Sequence, residues 1–478
     1  MPPHILWICT DQQRFDTIRA LGNPHIHTPN LDRLCSEGVA FSRAHCQSPI
    51  CTPSRAGFLT GLYPNTVHCN RNGNAYFPQT ERAQLITKRL ADAGYDCALA
   101  GKLHLASPWN GYEPRVDDGY RRFWFSHSPT QPFLGENDYV DWLREQGRLE
   151  EVLDASDHDP EQRRGVRYRP DVPAELHQTS WCADRAIEFI REERDAPWLM
   201  SVNIFDPHPP FDAPPEYRDR YDPDDLPPPL FGESDLTEQQ KLEDQFFQNL
   251  SGAPGPPQQR IKASYYGMVE LIDHNVGRML DALEETGQRE DTIVIFMSDH
   301  GEMLGDHGLT AKGCRFYEGL VRVPLIISWP GRFEQDLVAD GLVELTDLAP
   351  TLAETCGIDL PRTHGQSLVP ILSGSADAAS HRDFVRCEYY DVVNPHAGDD
   401  PSKHVPCWAT MYRDERYKLA VYHGIQHGQL FDLQNDPDEY QNLWNDPAHE
   451  SVKWDLIKRS FDETVMATDL GPPLIGRF

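Results

Sequence analysis

A cysteine, a proline and an arginine lie close together in Cys51-Thr52-Pro53-Ser54-Arg55. Proline needs no N–H at the first position of a helix, and Thr52 is a suitable capping residue. We therefore expect a helix to begin at Pro53, with Cys51 just before it. Free N–H groups and the positive end of the helix dipole would then face the thiol and any bound anion. The pattern allows a reactive cysteine with a lowered pKa, although these five residues alone favour a buried cysteine beside an ordinary Pro-started helix.

Two polar pairs, Asp11-Gln12 and Asp299-His300, each follow a short apolar run. Carboxylate and carboxamide oxygens suit Ca²⁺, Mg²⁺ or Mn²⁺, and an imidazole ligand favours Mn²⁺ or another transition metal over Ca²⁺. Either pair alone would also suit a helix cap beside a surface histidine. The two pairs together predict one divalent cation site.

Apolar runs and amphipathic helices alternate along the first three quarters of the chain. Predicted strands are His4–Thr10, Tyr95–Ala100, Trp198–Phe205 and Thr292–Met297, and the most amphipathic helix is Ile261–Thr286. This order predicts an α/β fold, with a mostly parallel central sheet flanked by helices. Ligands bind beyond the carboxyl ends of the strands in such sheets. We expect the residues just past those ends to lie at one edge: Asp11, Lys102, His208 and Asp299.

The pattern changes near residue 372. The segments Asp383–Asp391, Trp408–Tyr412, Tyr417–Tyr422 and Gln429–Leu433 alternate like antiparallel strands. We predict a smaller C-terminal α+β domain, 372–478, beside a catalytic domain, 1–371. The Pro-rich segments 105–175 and 212–258 have no predicted element, and long loops of this kind are often functional.

Composition limits the partners and the compartment. The 478 residues carry a formal net charge of −31, which argues against nucleic acid and anionic membranes as partners. No apolar run reaches the ~18–20 residues of a membrane span. The N-terminus has no signal-peptide pattern, and the eleven cysteines lack CxxC spacing, so a cytoplasmic protein is expected. The apolar tail, Asp469 to Phe478, is expected to pack on a neighbouring subunit of a homo-oligomer.

Three stretches carry a resemblance to a known family. The cysteine stretch continues through Ala-Gly-Phe-Leu-Thr-Gly-Leu-Tyr-Pro and resembles the signature of the type I sulfatases, in the alkaline phosphatase superfamily. Gly101-Lys102-Leu103-His104 resembles the Gly-Lys-x-His of sulfatases, and Leu430-Phe431-Asp432-Leu433 resembles part of their C-terminal domain. The resemblance implies that a maturation enzyme oxidises Cys51 to formylglycine, whose oxygen joins Asp11, Gln12, Asp299 and His300 on one metal ion.

The resemblance also implies roles for other residues. Arg55, one helical turn after Cys51, would fix the formylglycine hydrate. Lys102 and His104 alternate on a segment expected to be extended, so both would face one way, Lys102 to a sulfate oxygen and His104 as a base. The remaining implied positions are His208 at the leaving group, Lys312 and Asn72 at the substrate, Glu302 and Asp306 behind the ligands, and His307 as a structural residue.

The implied activity is the hydrolysis of sulfate monoesters, as in arylsulfatases. One hydroxyl of the hydrate would attack sulfur while His208 or Lys312 protonates the leaving alcohol. The second hydroxyl would then lose its proton to His104 and expel sulfate, which restores the aldehyde. A serine or cysteine nucleophile has no second hydroxyl and could not take this step.

Two alternatives stay open. A phosphonate monoester or phosphate diester hydrolase on the same fold is favoured by Ser298-Asp299-His300-Gly301 and by the apolar tail, whereas Lys102 and His104 favour sulfate. A non-catalytic metal-binding protein would have an unconverted Cys51. A two-metal, alkaline-phosphatase-like transferase is disfavoured, because it would want Ser or Thr at position 51.

Overall fold

The computed structural model describes residues 2–72, 84–108, 112–127, 137–154, 172–242, 246, 248–360, 362–390, 407–468 and 476. The strands are β1 His4–Asp11, β2 Val39–Phe41, β3 Ala44–His45, β4 Asp96–Gly101, β5 Arg122–Phe125, β6 Trp198–Pro207, β7 Asn249–Leu250, β8 Thr292–Ser298, β9 Leu309–Thr310, β10 Arg322–Val323, β11 Leu325–Ser328, β12 Leu337–Ala339, β13 Val343–Glu344, β14 Val385–Tyr390, β15 Trp408–Arg413, β16 Tyr417–Tyr422 and β17 Gly428–Asp432.

The α-helices surround these strands. They are α1 Pro29–Ser36, α2 Cys51–Thr60, α3 Ile86–Asp92, α4 Asp138–Glu145, α5 Leu149–Asp154, α6 Gln178–Ile190, α7 Pro215–Arg218, α8 Asp235–Gln240, α9 Pro256–Glu285, α10 Glu318–Val321, α11 Leu348–Cys356, α12 Val369–Leu372 and α13 Glu450–Met466. None of the helices in the described ranges is both long and apolar enough to cross a membrane.

An eight-stranded sheet forms the centre of the molecule, in the order β12-β2-β11-β8-β1-β6-β4-β5. Strands β8, β1, β6, β4 and β5 are parallel to one another, and β11 runs antiparallel to both β8 and β2. The carboxyl ends of β8, β1, β6 and β4 therefore lie at one edge. The predicted α/β fold with a mostly parallel sheet is confirmed.

Both faces of the sheet are covered, as parallel sheets require. Side chains alternate along β1, so Ile5 and Trp7 join the apolar cluster that includes Phe58 of α2. Leu6 and Ile8 join the opposite cluster, which includes residues of α6 and α9. The residues that follow β1 are thereby fixed by packing on two sides.

A second, four-stranded antiparallel sheet follows in the order β14-β15-β16-β17, as predicted for the C-terminal part. Helix α13 packs beside it through Leu456, which belongs to the same apolar cluster as Leu419 and Leu430. The sequence analysis did not predict this helix. The tail expected to pack on another subunit lies outside the described residues, apart from Gly476.

The Pro-rich segments contain elements that the sequence analysis did not predict. Strand β5 extends the large sheet by pairing with β4, and α4, α5, α7, α8 and β7 lie in the same two segments. Most of these elements are four to eight residues long, too short for a clear hydrophobic period. The described parts of these segments are therefore not structureless loops.

Candidate active site

The ends of β1 and β8 bring the two predicted cation-binding pairs together. Asp11, Gln12, Asp299 and His300 are all fully buried. The backbone N–H of Asp299 donates to Thr10 O at 3.2 Å, and the N–H of Gln12 donates to Asp299 Oδ1 at 3.1 Å. These bonds join the chain at the ends of both strands, so the two pairs lie side by side.

Helix α2 delivers Cys51 to the same point, but it begins two residues earlier than predicted. Ile50 is the capping position and makes no side-chain cap bond, so Cys51 is the first helical residue and Thr52 is not the cap. Instead, the backbone N–H of Thr52 donates to Asn72 Oδ1 at 2.9 Å. A side chain distant in sequence thus satisfies an amide of the first turn, which local sequence rules do not anticipate.

The side chains of Asp11, Cys51, Asp299 and His300 form a tight cluster. Their ligand atoms all lie within 4.8 Å of one another. Cys51 Sγ is 3.6 Å from Asp11 Oδ1 and 3.3 Å from His300 Nε2. His300 Nδ1 lies 2.9 Å from Gly301 O and donates to it, so Nε2 is the nitrogen that faces the cluster.

This donor set fits a divalent cation. The Gln12 amide nitrogen donates to Glu302, which turns Gln12 Oε1 away from that carboxylate. Within the described part of the chain, Gln12 Oε1 is buried and has no hydrogen-bond partner. The Lys312 ammonium lies 3.3 Å from His300 Nε2 and 3.5 Å from Asp11 Oδ1, so positive charge is already drawn into the cluster. Two carboxylates, one imidazole and an amide oxygen suit Ca²⁺, Mg²⁺ or Mn²⁺.

Arg55 connects the cluster to the rest of the site. Its Nε is 2.8 Å from Asp299 Oδ2 and its Nη2 is 3.4 Å from Asp11 Oδ2. Its Nη1 donates to Lys102 O at 2.7 Å, and the side chain is fully buried. The rigid guanidinium therefore joins α2, β1, β8 and the end of β4.

Two lysines face the Cys51 thiol. Lys312 Nζ is 2.7 Å from Sγ and Lys102 Nζ is 3.8 Å from it. Burial and the charge of Asp11 raise the pKa of the thiol, but Lys102, Lys312 and His300 outweigh them and lower it to about 7. The lowered pKa agrees with the prediction from the sequence, and the charged groups that lower it are Lys102, Lys312 and His300.

A row of aromatic rings forms one wall beside these lysines. The His104 ring lies 4.9 Å from that of His127, which lies 5.8 Å from Phe205, which in turn lies 4.5 Å from His208. His208 Nδ1 lies 2.7 Å from Pro209 O and donates to it. Burial, followed by the charge of a nearby lysine, holds the pKa of both His104 and His208 well below the usual range.

The backbone at His104 differs from the expectation. Its φ is 57°, in the left-handed region, so the segment from Lys102 to His104 is not extended and the alternation argument was wrong there. Glu113 holds this turn by accepting from the backbone N–H groups of His104, Leu105 and Ala106 at 2.7, 2.6 and 3.0 Å.

Three residues near the site escaped the sequence analysis: Glu113, His127 and Asn203. Asn203 Nδ2 donates to Lys102 O at 2.9 Å and so helps to hold that lysine's backbone. His127 lies two residues past the end of β5, a strand that was not predicted, so the strand-end rule could not point to it. Glu113 acts through tertiary contacts and leaves no signal in the sequence.

The secondary residues named from the sequence have distinct surroundings. Glu302 holds Gln12 and also accepts from the backbone of Leu304 at 2.9 Å. Asp306 lies 2.8 Å from Arg14. His307 pairs with Asp235 at 3.3 Å and stacks on Tyr317, outside the metal cluster.

Tyr63, near the end of the cysteine motif, has a structural environment. Its hydroxyl donates to Glu344 at 3.1 Å, its backbone N–H donates to His364 Nδ1 at 2.9 Å, and the Arg386 guanidinium lies over its ring. The end of the motif thus anchors α2 to the segments that follow β13.

Comparisons with known proteins agree with this geometry. The sulfatase family model matches residues 3–358, and the model for the C-terminal part of N-sulphoglucosamine sulphohydrolase matches residues 305–465. The chain is 32% identical to an arylsulfatase of Clostridium perfringens, over 94% of this chain and 92% of that protein. It is 30% identical to the multifunctional alkaline phosphatase superfamily protein PehA of Trinickia caryophylli, over 96% and 94%.

A solved structure extends the similarity to three dimensions. The phosphonate monoester hydrolase of Agrobacterium radiobacter superposes with a TM-score of 0.81 and 27% identity, over 98% of this chain and 96% of that one. The family model covers most of the chain, the relatives align along its length, and the fold is that of the superfamily. The chain therefore belongs to the sulfatase family of hydrolases, in the alkaline phosphatase superfamily.

Proposed function

We propose that this chain hydrolyses sulfate monoesters and that Cys51, converted to formylglycine, supplies the nucleophile. The observation that carries the proposal is the position of Cys51 Sγ. It lies in one cluster with the ligand atoms of Asp11, Asp299 and His300 and 2.7 Å from the Lys312 ammonium. The protein carries a formal net charge of −31, which repels a negatively charged sulfate ester. Local positive charge, such as the Lys312 ammonium, is therefore needed to bind the ester.

The bound groups would be held by residues already described. Asp11, Gln12, Asp299, His300 and the residue at position 51 would hold one divalent cation, Ca²⁺ or Mn²⁺, with Mg²⁺ also compatible with the oxygen donors. The cation would supply positive charge that activates the nucleophile, and the hydrated aldehyde would supply the attacking hydroxyl and a second one for sulfate release.

The cationic side chains around position 51 would bind and orient the substrate. Lys102 and Lys312 would bind sulfate oxygens, with Asn72 at the edge of the same site, and Arg55 would orient the hydrate at position 51. Both lysines and Arg55 are buried or nearly so, and their charges act in a medium of low polarity. They would oppose the charge that builds up on the sulfate oxygens during transfer.

The two histidines of the aromatic wall would move protons. Because burial lowers the pKa of His104, its imidazole is neutral at physiological pH and can accept a proton when sulfate leaves. His208 would donate to the leaving oxygen, with Lys312 as the other candidate donor. The negative charge of a bound sulfate ester would raise the pKa of His208 from its low value in the free enzyme.

Hydrolysis of phosphonate monoesters or phosphate diesters is the second candidate. It is favoured by the similarity, over 98% of the chain, to a phosphonate monoester hydrolase. Turnover of 4-nitrophenyl sulfate and of a 4-nitrophenyl phosphonate monoester by one metal-loaded preparation distinguishes the two. We expect the sulfate to have the higher kcat/KM; a preference for the phosphonate by orders of magnitude would reverse the order of the proposals.

A maturation enzyme that oxidises Cys51 is the partner this function needs. Conversion exchanges sulfur and two hydrogens for one oxygen and lowers the peptide mass by ~18 Da. An unchanged mass after co-expression with such an enzyme would favour the alternative of a non-catalytic metal-binding protein. We also propose a cytoplasmic location, because the eleven cysteines, all in described ranges of the chain, form no disulfide.

We further propose that the protein is a homo-oligomer in which α13 contacts a second copy. Trp454 and Phe461, seven residues apart on one face of α13, are 59% and 63% exposed, and Met466 is 67% exposed. Antiparallel pairing of two such helices about residue 460 would place Lys458 of one copy opposite Asp462 of the other. Size-exclusion chromatography with light scattering should give a multiple of 54.5 kDa.

The variant F461E should shift that mass towards the monomer, because it places a carboxylate in the proposed contact. V338E provides a matched control, since Val338 is 49% exposed on a different element, β12. A monomeric wild-type protein, or equal masses for wild type and F461E, would contradict the proposal.

A further inference from the structure

The segment that carries His208 is tied at both ends by one side chain. Asp206 precedes it at the end of β6 and Asp212 follows it, and both carboxylates are buried. His177 Nδ1 lies 3.1 Å from Asp206 Oδ2, and His177 Nε2 lies 3.3 Å from Asp212 Oδ1. We refer to His177, Asp206 and Asp212 as the His177 clasp.

The clasp is an ion triad rather than a second metal site. Its three residues are close enough to hold a metal ion. However, the two nitrogens of the His177 ring face different carboxylates, and one ion cannot bind both nitrogens of a ring. An imidazolium carries a proton on each nitrogen, so in that form the ring pairs with both carboxylates, with Nε2 hydrogen-bonded to Asp212. Burial opposes that charge, but Asp206 and Asp212 raise the pKa of His177 well above its usual range.

The clasp is anchored to a helix outside the catalytic cluster. His177 occupies the capping position of α6, and the next residue, Gln178, accepts from the backbone N–H of Phe205 at 3.2 Å. The Thr179 hydroxyl donates to Asp206. The first turn of α6 thus holds the end of β6 through three side chains in succession.

Between the two carboxylates, Phe211 is buried and its carbonyl accepts from the Ser264 hydroxyl at 3.0 Å, whereas the hydrogen bonds described for His208 are local. Its backbone N–H donates to Phe205 O at 3.2 Å, its Nδ1 donates to the adjacent Pro209 O, and its ring packs on Phe205. All of these His208 contacts lie within its own segment and the strand before it. The hydrogen bond between Asp212 and His177 is one of the contacts that attach the far end of the segment to the rest of the protein.

We propose that the His177 clasp positions His208 for proton donation to the leaving group. His177 is therefore a positioning residue, and the inference rests on the role of His208 in the proposed function. A proton donor contributes only when its nitrogen is within hydrogen-bond reach of the leaving oxygen, so a small shift of the segment would remove its effect.

The test is the dependence of kcat/KM on the leaving group. The substrates are phenyl sulfate and 4-nitrophenyl sulfate. Phenolate is a poor leaving group that needs a proton from the enzyme, whereas 4-nitrophenolate is a better leaving group that needs the proton less. The variants are H177Q, D212N, H208A and the double variant H177Q/H208A. H381Q is the matched control, because His381 forms a similar pair with Asp347 at 3.2 Å.

We expect H177Q to lower kcat/KM for phenyl sulfate at least about tenfold more than for 4-nitrophenyl sulfate, within the range of general-acid effects. D212N should act in the same direction, H381Q should leave the ratio unchanged, and the double variant should be no slower than H208A. If H177Q does not fold, D212N decides, because it keeps the ion pair of His177 with Asp206.

An equal loss on both substrates, or losses in the double variant that multiply, would overturn the proposal and leave the clasp a purely structural triad. If the proposed function itself is wrong, the experiment gives a different result. In that case the wild type is inactive on both sulfates, or H208A itself shows no dependence on the leaving group.

Discussion

Three side chains of the site around Cys51 are oriented by other groups. Gly301 O fixes the proton of His300, Glu302 fixes the amide of Gln12, and Asp299 holds the guanidinium of Arg55. Such outer contacts set the direction of each donor atom before any ligand binds. The site is therefore preorganised, which is the condition for electrostatic stabilisation of a transferring sulfate.

The positions of these residues could be predicted better than their conformations. Asp11 and Asp299 follow parallel strands, and one topological rule brings such residues together. The turn at His104 could not be foreseen, because Glu113 imposes it from nine residues away. The cap of α2 was misplaced for the same reason, since Asn72, rather than Thr52, satisfies the helix amide. The catalytic roles of these residues stay predictions.

The dependence of protein stability on pH tests the role of Glu113 in holding the turn at His104. Burial raises the pKa of its carboxyl to about 7, above the unfolded value near 4.5. The folded protein therefore binds the Glu113 proton more tightly than the unfolded chain does. Binding of this proton contributes roughly 3 kcal/mol to the free energy of unfolding below pH ~4.5, and this contribution is lost as the pH rises to ~7. E113Q should lose less stability than wild type between pH 5 and pH 8 in urea unfolding. Parallel losses in the two proteins would show that Glu113 does not titrate in this way.

Strand β4 shows how an element limits the site through its backbone. Gly101 ends β4 with φ of +110°, and a Cβ placed there would lie 1.9 Å from Asn203 O of β6. Only glycine allows the two strands to approach this closely just before Lys102. The close approach also allows Asn203 to hold the Lys102 carbonyl.

We expect G101A to lower the free energy of unfolding by roughly 2–5 kcal/mol, from backbone strain together with the clash. Gly94 is the matched control, since its φ is +95° but a Cβ placed there would meet no atom within 4 Å. G94A should therefore cost only about 1–2 kcal/mol. Equal losses for G101A and G94A in urea unfolding would mean that the strands separate easily.

Among the elements, length decided what could be predicted. The long strands and α9 have clear periods in the sequence, whereas β5, α4 and α8 are short and lie in Pro-rich segments. These short elements depend on tertiary contacts, such as the pairing of β5 with β4. The approach to the site is consequently the part of the fold that the sequence described least.

Across the whole molecule, a buried charge network joins the large sheet's surroundings to the C-terminal sheet. Glu318 of α10 lies 3.1 Å from Arg413 of β15 and 3.2 Å from Lys418 of β16. Burial raises the pKa of Glu318, but these two cations hold it well below its usual range. We propose domains of 1–371 and 372–478, and this network makes them interdependent in folding.

E318Q should destabilise the whole protein, because it removes the carboxylate that faces the buried Arg413 and leaves Lys418 with Glu439 alone. The expected loss is about 3–5 kcal/mol, as for one partner removed from a buried ion pair. E285Q is the control, since the pair of Glu285 with Arg191 is exposed and should contribute about 0–1 kcal/mol. A single unfolding transition at lower temperature is expected for E318Q in calorimetry; an unchanged transition would contradict the interdependence.

The central claim is that the carbonyl made from Cys51 performs the cleavage. The most direct test measures, in several preparations with different degrees of conversion, the converted fraction of the Cys51 peptide by mass spectrometry and kcat for 4-nitrophenyl sulfate. We predict that kcat is proportional to the fraction lighter by ~18 Da and vanishes for C51A. Hydrolysis that is independent of this fraction, or that persists in C51A, would contradict the account.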